Sequence, residues 1–196
     1  MSSLLLNDPI LAPIIRSIPP PGVVSTQNVF HDLMSCIIEQ QIHYRSTKKI
    51  FEKLLKASEL DQLRAENFST FEKQLPTIKH LSSQKMETIQ QAHHFFAHNQ
   101  IDWPQLEDEQ VRHLLSSIQG VGKWTIDMIL LYTLGRPNVF PSEDYHLKEI
   151  MTRLYGLNPQ SRLGAQMKSI AEHWGDHQSL GVLYLLQWKK VQLNQL

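Results

Sequence analysis

Cysteine is almost absent from this sequence, since Cys36 is the only one in 196 residues. One thiol cannot form an intramolecular disulfide, a cysteine-ligated zinc site or a four-cysteine iron–sulfur cluster. Long apolar runs are also missing, because no stretch approaches the length that crosses a bilayer. The first ten residues lack the basic and apolar regions of a secretory signal. We therefore expect an intracellular protein with no membrane span and no iron–sulfur cluster.

An excess of charge of one sign is missing as well. The chain carries 19 basic and 19 acidic residues, so its formal net charge is zero. This balance disfavours a protein that binds nucleic acid only through a strongly basic surface. One short run is nevertheless basic apart from Glu52, and its cations are Arg45, Lys48, Lys49, Lys53 and Lys56. The run is consistent with a phosphate-facing surface and equally with a solvated helix face.

The alternation of apolar and polar residues that marks a half-buried strand is not found. Apolar residues instead recur at three- and four-residue intervals, between turns rich in Pro, Gly, Ser or Asn. The predicted helices lie near 9–17, 27–40, 44–56, 59–64, 68–73, 83–98, 108–118, 123–134, 143–154, 159–172 and 178–191. We therefore predict an all-α protein, with residues 1–196 forming one unit that has no internal repeat and no linker.

Residues 114–125 (LLSSIQGVGKWT) predict a helix, a tight turn and a second helix. Gly120 and Gly122 allow positive φ and leave backbone amides uncovered by side chains. The second helix would begin at Lys123, whose ammonium would join the helix N-terminus in an anion site suited to a DNA phosphate. Such a site holds the backbone without reading the bases. A Schellman-type helix end followed by another helix explains the same residues locally.

Ser142, Glu143 and Asp144 introduce the helix predicted from residue 143. Ser142 is a suitable N-cap, and carboxylates in a first helical turn are favoured by the helix dipole. Local structure alone can therefore account for both acidic residues.

Several segments together carry a family resemblance. They are 120–125 (GVGKWT), 135–144 (GRPNVFPSED), 8–11 (DPIL), 37–42 (IIEQQI), 81–85 (LSSQK) and 179–184 (SLGVLY). The chain strongly resembles the helix-hairpin-helix DNA glycosylases, and most of all their alkylation-repair branch, 3-methyladenine DNA glycosylase II. The likeness covers nearly the whole chain.

The resemblance implies a two-lobed, all-α helix-hairpin-helix glycosylase fold. One lobe would comprise residues 26–134, the other residues 1–25 plus 135–196, with a DNA cleft between them. The implied protein is a monomer that flips a damaged base out of double-stranded DNA and hydrolyses its N-glycosidic bond. Its implied substrates are alkylated purines of the 3-methyladenine type, which it would remove during base excision repair.

The resemblance also implies roles for single residues. Asp144 aligns with the carboxylate that faces the flipped nucleotide and stabilises positive charge on the sugar; its neighbour Glu143 has the weaker claim. Trp124 stands where strand-cutting relatives carry a lysine that forms a Schiff base, and an indole cannot do so. We therefore expect a monofunctional enzyme. Trp124 and Tyr145 would line the base pocket and stack on a cationic base, although Trp124 is equally explained as a core aromatic. The family often has tryptophan at position 186, where this chain has leucine.

The remaining implied contacts are with DNA and with an ion. The hairpin would hold the DNA backbone through Gly120, Val121, Gly122, Lys123 and Thr125. The minor-groove wedge that fills the gap left by the flipped base would be Gln41, Ile42 and His43, although a polar helix end with one buried isoleucine explains these residues as well. A structural Na⁺ or K⁺ would be bound by the main-chain carbonyls of Ser116, Ile118 and Val121. No other cofactor is expected.

Two alternative functions remain open at this stage. One is a non-catalytic helix-hairpin-helix protein that binds DNA damage, and the other is a glycosylase for deaminated or oxidised bases. The residues do not distinguish 3-methyladenine from 7-methylguanine, ethenoadenine or hypoxanthine, because pocket width and polarity decide that preference.

Overall fold

A computed structural model describes residues 3–23, 25–39, 48–78 and 81–194. The α-helices are α1 Ser3–Leu6, α2 Leu11–Ser17, α3 Val29–Glu39, α4 Lys48–Ala57, α5 Phe68–Glu72, α6 Ser83–His98, α7 Asp108–Ser116, α8 Lys123–Met128, α9 Tyr145–Tyr155, α10 Leu163–Glu172 and α11 Gln178–Asn194. A π-helix, Ile129–Thr133, continues α8. These ranges contain no strand, so the all-α prediction is confirmed. None of the described helices is both long enough and apolar enough to cross a bilayer.

The chain divides into two compact units. The central unit comprises residues 25–134, and the terminal unit comprises residues 1–24 and 135–196. The central unit therefore contains α3 to α8 with the π-helix, whereas the terminal unit contains α1, α2 and α9 to α11.

The core of the central unit is built on α3. Leu33, Met34 and Ile37 are fully buried, because residues three and four apart share one helical face. This face packs against α4, α6 and the π-helix. Close to it, Phe68 of α5 stacks on His93 of α6 with ring centroids 4.2 Å apart. The apolar periodicity seen in the sequence thus becomes the contact surface between helices.

The predicted helix at 59–64 is wrong. Glu59 has a φ of 55°, which ends helical geometry just after α4. The backbone of Leu63 is then held by α3, because its N–H donates to His31 Nδ1 at 3.0 Å and its carbonyl accepts from Asn28 Nδ2 at 3.0 Å. Burial lowers the pKa of His31, which favours the neutral ring with an acceptor nitrogen. Tertiary hydrogen bonds therefore replace helical ones here.

In the terminal unit, the Asp8 carboxylate accepts hydrogen bonds from separate segments of the chain. Oδ1 of Asp8 accepts from the N–H groups of Ile10 and Leu11, both at 2.9 Å. Oδ2 accepts from the Tyr155 hydroxyl at 2.9 Å and from Nε1 of the fully buried Trp174 at 2.8 Å. Burial and the Asp8 charge raise the pKa of Tyr155, so the phenol stays a donor. One carboxylate thus joins the start of α2 to α9 and to the segment before α11.

We expect Asp8→Ala to lower the free energy of unfolding by about 3 kcal/mol, because it removes a helix cap and leaves two buried donors without an acceptor. Urea unfolding followed by circular dichroism measures the loss. Asp176→Ala, an exposed carboxylate of the same unit, is the matched control and should change stability by less than about 0.5 kcal/mol. Equal losses in the two variants would contradict the role of Asp8.

Candidate functional site

The turn between α7 and α8 depends on Gly120. Its φ is +88°, in the region that favours glycine. A Cβ at this position would lie 2.0 Å from the Thr88 Oγ1 of α6. Gly120 is therefore required twice, once by the conformation of the turn and once by its close packing on α6.

Gly122 differs from Gly120, because its backbone does not adopt the positive φ that a glycine allows. Its φ of −93° and ψ of 172° are extended, and a Cβ there would meet no atom within 4 Å. Gly122 is the N-cap of α8, and its carbonyl accepts from Ile126 N–H at 3.1 Å. The bare backbone at this helix start has the geometry in which main-chain amides bind an anion.

The two helices of the hairpin are joined by an ion-pair cluster that the sequence did not reveal. Asp127 of α8 is 0% exposed. Its Oδ1 accepts from Arg112 of α7 at 2.6 Å, and its Oδ2 accepts from Lys123 at 2.7 Å. Lys123 was expected to add a charge toward phosphate, and its ammonium is instead bonded to Asp127. The 123/127 spacing of opposite charges was the available signal.

The other hairpin residues divide by burial. Val121 and Thr125 are 7% and 1% exposed, so only their backbone N–H and carbonyl groups can bind a ligand. Trp124 is half-buried. The Ile118 carbonyl accepts from Val121 N–H at 3.1 Å, and a carbonyl oxygen has a second lone pair that can bind a monovalent cation.

Asp144 is the N-cap of α9. Its Oδ1 accepts from Leu147 N–H at 2.8 Å, and the residue is 7% exposed. The prediction that Ser142 caps a helix starting at residue 143 is wrong, because Asp144 N–H donates to the Pro141 carbonyl at 2.9 Å and closes a turn there. The helix therefore begins only at Tyr145. A buried carboxylate at a helix N-terminus is held in one orientation.

The loop that leads to Asp144 is held by Ser179 of α11. The Ser179 hydroxyl donates to the Arg136 carbonyl at 2.6 Å and accepts from Val139 N–H at 2.8 Å. Its own N–H donates to the Pro137 carbonyl at 3.1 Å. Ser179 is buried, so these bonds fix the loop backbone at residues 136, 137 and 139. Nothing local in the sequence identifies this role, since the partners lie about forty positions apart.

Tyr145, the predicted pocket aromatic, is 70% exposed. Its ring lies edge-on to His146, with centroids 5.3 Å apart. The Lys189 ammonium of α11 lies 5.9 Å from the centroid of the same ring. Tyr145 thus presents a large open aromatic surface directly after the buried Asp144.

The predicted wedge residues Gln41, Ile42 and His43 lie outside the described residues. Among the residues that are described, no three His, Cys, Asp or Glu side chains are grouped so as to hold a metal ion.

Comparison with known proteins finds relatives that match most of the length of this chain. A Bacillus subtilis (strain 168) protein, named as a candidate DNA-3-methyladenine glycosylase, is 25% identical over 179 residues, which are 87% of this chain and 61% of that protein. The chain thus spans less than two thirds of that relative. DNA-3-methyladenine glycosylase 1 of Schizosaccharomyces pombe (strain 972 / ATCC 24843) is 22% identical over 162 residues, 75% of this chain and 71% of that protein.

Solved structures share the fold. The Schizosaccharomyces pombe 3-methyladenine DNA glycosylase in complex with abasic DNA superposes with a TM-score of 0.79 at 19% identity, covering 98% of this chain and 97% of that one. A DNA-3-methyladenine glycosidase from Bacillus halodurans gives a TM-score of 0.72 at 22% identity, covering 95% and 86%. These matches confirm the predicted helix-hairpin-helix glycosylase fold.

The sequence profile of the HhH-GPD superfamily matches residues 34–175. This span holds both the hairpin and Asp144, and it covers well over half of the chain. The chain therefore belongs to the HhH-GPD superfamily of base excision DNA repair proteins.

Proposed function

We propose that this protein is a DNA glycosylase that hydrolyses the N-glycosidic bond of alkylated purines in duplex DNA. The observation that carries the proposal is Asp144, a carboxylate that is 7% exposed and oriented by the Leu147 amide. The family and the names of the relatives support base excision and alkylated bases as the substrate class. On this proposal the protein acts as a monomer inside the cell, where its DNA substrate is.

Asp144 supplies the charge that the reaction requires. As the bond between base and sugar breaks, positive charge develops on the sugar, and a fixed carboxylate in a poorly hydrated site stabilises it. The first amides of α9 place partial positive charge beside this carboxylate and orient it. The same carboxylate orients the attacking water and takes one of its protons. The water oxygen forms the new bond at the sugar carbon, and the base departs with the electron pair of the broken N-glycosidic bond.

We infer that the base stacks on an aromatic side chain. Tyr145, which is exposed, and Trp124, which is half-buried, each provide a flat π surface. Alkylation at a purine ring nitrogen makes the base cationic, so stacking on either gains about 0.5–2 kcal/mol from cation–π attraction. A cationic base is also a better leaving group, so one carboxylate suffices without a strong acid. This is the feature that favours alkylated bases over oxidised or deaminated ones.

The hairpin binds the DNA backbone. The backbone at Gly122 is extended and uncovered, and the first N–H groups of α8 donate to a phosphate oxygen. Gly120, Val121 and Thr125 contribute main-chain groups, and Lys123 contributes its charge while it remains bonded to Asp127. A Na⁺ or K⁺ at the carbonyls of Ser116, Ile118 and Val121 would add positive charge at the same turn.

The reaction stops at an abasic site. No Schiff base forms at position 124, because an indole nitrogen is not a nucleophile toward a sugar carbon. Lys123 points about 100° away from Trp124 around the helix, and its ammonium is engaged by the buried Asp127.

We expect duplexes carrying 3-methyladenine, 7-methylguanine or ethenoadenine to break only when alkali is added after incubation with the protein, and a duplex carrying hypoxanthine, a deaminated base, to break less. Gel electrophoresis with and without alkali makes the measurement, and an undamaged duplex is the control. Borohydride should trap no protein–DNA cross-link, because no imine forms.

Breaks without alkali, or efficient trapping, would contradict the monofunctional assignment. Release of no base from any duplex, together with tight binding to the same duplexes, would instead favour a non-catalytic protein that binds DNA damage.

A further inference from the structure

A polar cluster joins α9 to α11 beside Asp144, and nothing in the proposed chemistry uses it. The Lys189 ammonium of α11 donates to His146 Nδ1 at 2.8 Å and to Glu149 Oε2 at 2.8 Å. The Lys189 side chain is 15% exposed, whereas Glu149 is 54% exposed. Lys189 is thus a mostly buried cation that bridges the first two turns of α9.

The cluster defines the proton state of His146. An ammonium has donors only, so Nδ1 of His146 is the acceptor and the neutral ring carries its proton on Nε2. Burial and the Lys189 charge lower the pKa of His146, while the carboxylates of Asp144 and Glu149 act in the opposite direction. At neutral pH the ring is therefore uncharged and the bond from Lys189 is present.

The first turn of α9 is thereby held from two sides. Asp144 fixes it from within the helix by accepting from Leu147 N–H. Lys189 fixes it from outside, because it bonds His146 and lies 5.9 Å from the Tyr145 ring centroid. Two of these residues directly follow the proposed catalytic carboxylate, so a movement of this turn displaces Asp144.

We propose that Lys189 is a positioning residue, which holds neutral His146 and so fixes the first turn of α9 with the Asp144 carboxylate and the Tyr145 ring. The inference rests on the proposed glycosylase function. Below the lowered pKa of His146, its Nδ1 gains a proton and can no longer accept from Lys189. The positioning is therefore present at neutral pH and is lost on acidification.

The test compares Lys189→Met, which keeps the aliphatic stem and removes the donors, with Lys190→Met, the exposed neighbour. We expect Lys189→Met to lower the single-turnover rate of base release about tenfold, as small displacements of a catalytic group do. Affinity for abasic-site DNA should stay within about threefold of wild type, because a residue that acts only by positioning α9 contributes no contact to DNA. Lys190→Met should leave the rate unchanged.

A second variant separates positioning from mere stability. His146→Asn keeps a neutral acceptor near the position of Nδ1, so it should retain most of the activity and remove the acidic limb that His146 adds to the pH–rate profile. Loss of DNA affinity with an unchanged rate in Lys189→Met would show a phosphate contact and overturn the proposal. Equal rates for Lys189→Met and Lys190→Met, or a pH–rate profile of His146→Asn that does not differ from that of the wild type, would overturn it as well.

One measurement requires no catalysis, so it tests the Lys189–His146 pair even if the proposed glycosylase function is wrong. If the wild-type protein releases no base, the proposed function fails, and NMR titration of His146 still tests the pair. Lys189→Met should raise the midpoint of His146, because a nearby positive charge has been removed. An unchanged midpoint would show that the pair does not form in solution and would overturn the inference.

Discussion

Asp144→Asn should lower the rate of base release from an alkylated duplex by a factor on the order of 10²–10³, which is typical for the loss of one preorganised electrostatic group. Asparagine has nearly the shape of aspartate, and its carbonyl oxygen can still accept from the Leu147 N–H that Oδ1 now accepts from at 2.8 Å. The fold should therefore survive, with a loss of about 0.3–1 kcal/mol from the weaker interaction with the helix dipole. Single-turnover kinetics and thermal unfolding measure the two effects.

Glu143→Gln is the matched control for this substitution. It makes the same change of charge one position earlier, and Glu143 is exposed. Its rate should stay within about twofold of wild type. DNA affinity should not fall in either variant, because each removes a negative charge that repels the phosphates. If Asp144→Asn released bases at the wild-type rate, Asp144 would not be catalytic. If Glu143→Gln lost as much rate as Asp144→Asn, the loss would be due to net charge and not to the position of the carboxylate.

Gly120→Ala should lower the free energy of unfolding by about 3 kcal/mol. Alanine at a φ of +88° costs about 1–2 kcal/mol, and a Cβ 2.0 Å from Thr88 Oγ1 forces repacking that costs about 1–3 kcal/mol more. For a chain of this size the melting temperature should fall by roughly 6–12 °C. Adding Thr88→Ala should restore part of the loss, since it removes the nearest clashing atom.

Gly122→Ala makes the same chemical change two residues along. Its backbone is extended and its added Cβ meets no atom, so stability should change by less than about 1 kcal/mol. The new methyl group would stand where we expect a phosphate to approach, and affinity for abasic-site DNA should fall about tenfold. The free energy of unfolding and the affinity for abasic-site DNA are measured for both variants. Equal destabilisation of the two would contradict the structure of the turn, and unchanged binding by Gly122→Ala would contradict the phosphate site.

The helices were predictable where one apolar face faces the core. Leu33 and Ile37 of α3 are fully buried, as their spacing indicates, and the hairpin was recognisable from its residues. The prediction failed at 59–64 because Leu63 is held by hydrogen bonds to α3. Sequence patterns report a segment's own preferences and contain no information about a distant acceptor.

The residues of the candidate site also include some that the sequence predicted and some that it did not. Asp144, Trp124 and the hairpin were predicted from the family resemblance that short contiguous motifs carry. Asp127, Ser179 and Lys189 were not, because Arg112, the loop at 136–139 and the side chains of α9, to which they bond, lie far from them in the sequence. The capping role of Asp144 was missed for a local reason, since the turn at Pro141 delays the start of α9 and moves the cap from Ser142.

Sequence alone was sufficient to determine the all-α class, because that class follows from periodicity. The family, and with it the proposed role of Asp144, followed from the resemblance that short contiguous motifs carry. Only the tertiary structure decided which glycine of the hairpin is required by packing, which ammonium is already bonded, and what holds the first turn of α9. Those properties depend on distances between helices. The close packing of Gly120 on Thr88 and the 2.8 Å hydrogen bond between Lys189 and His146 join residues that no sequence pattern connects.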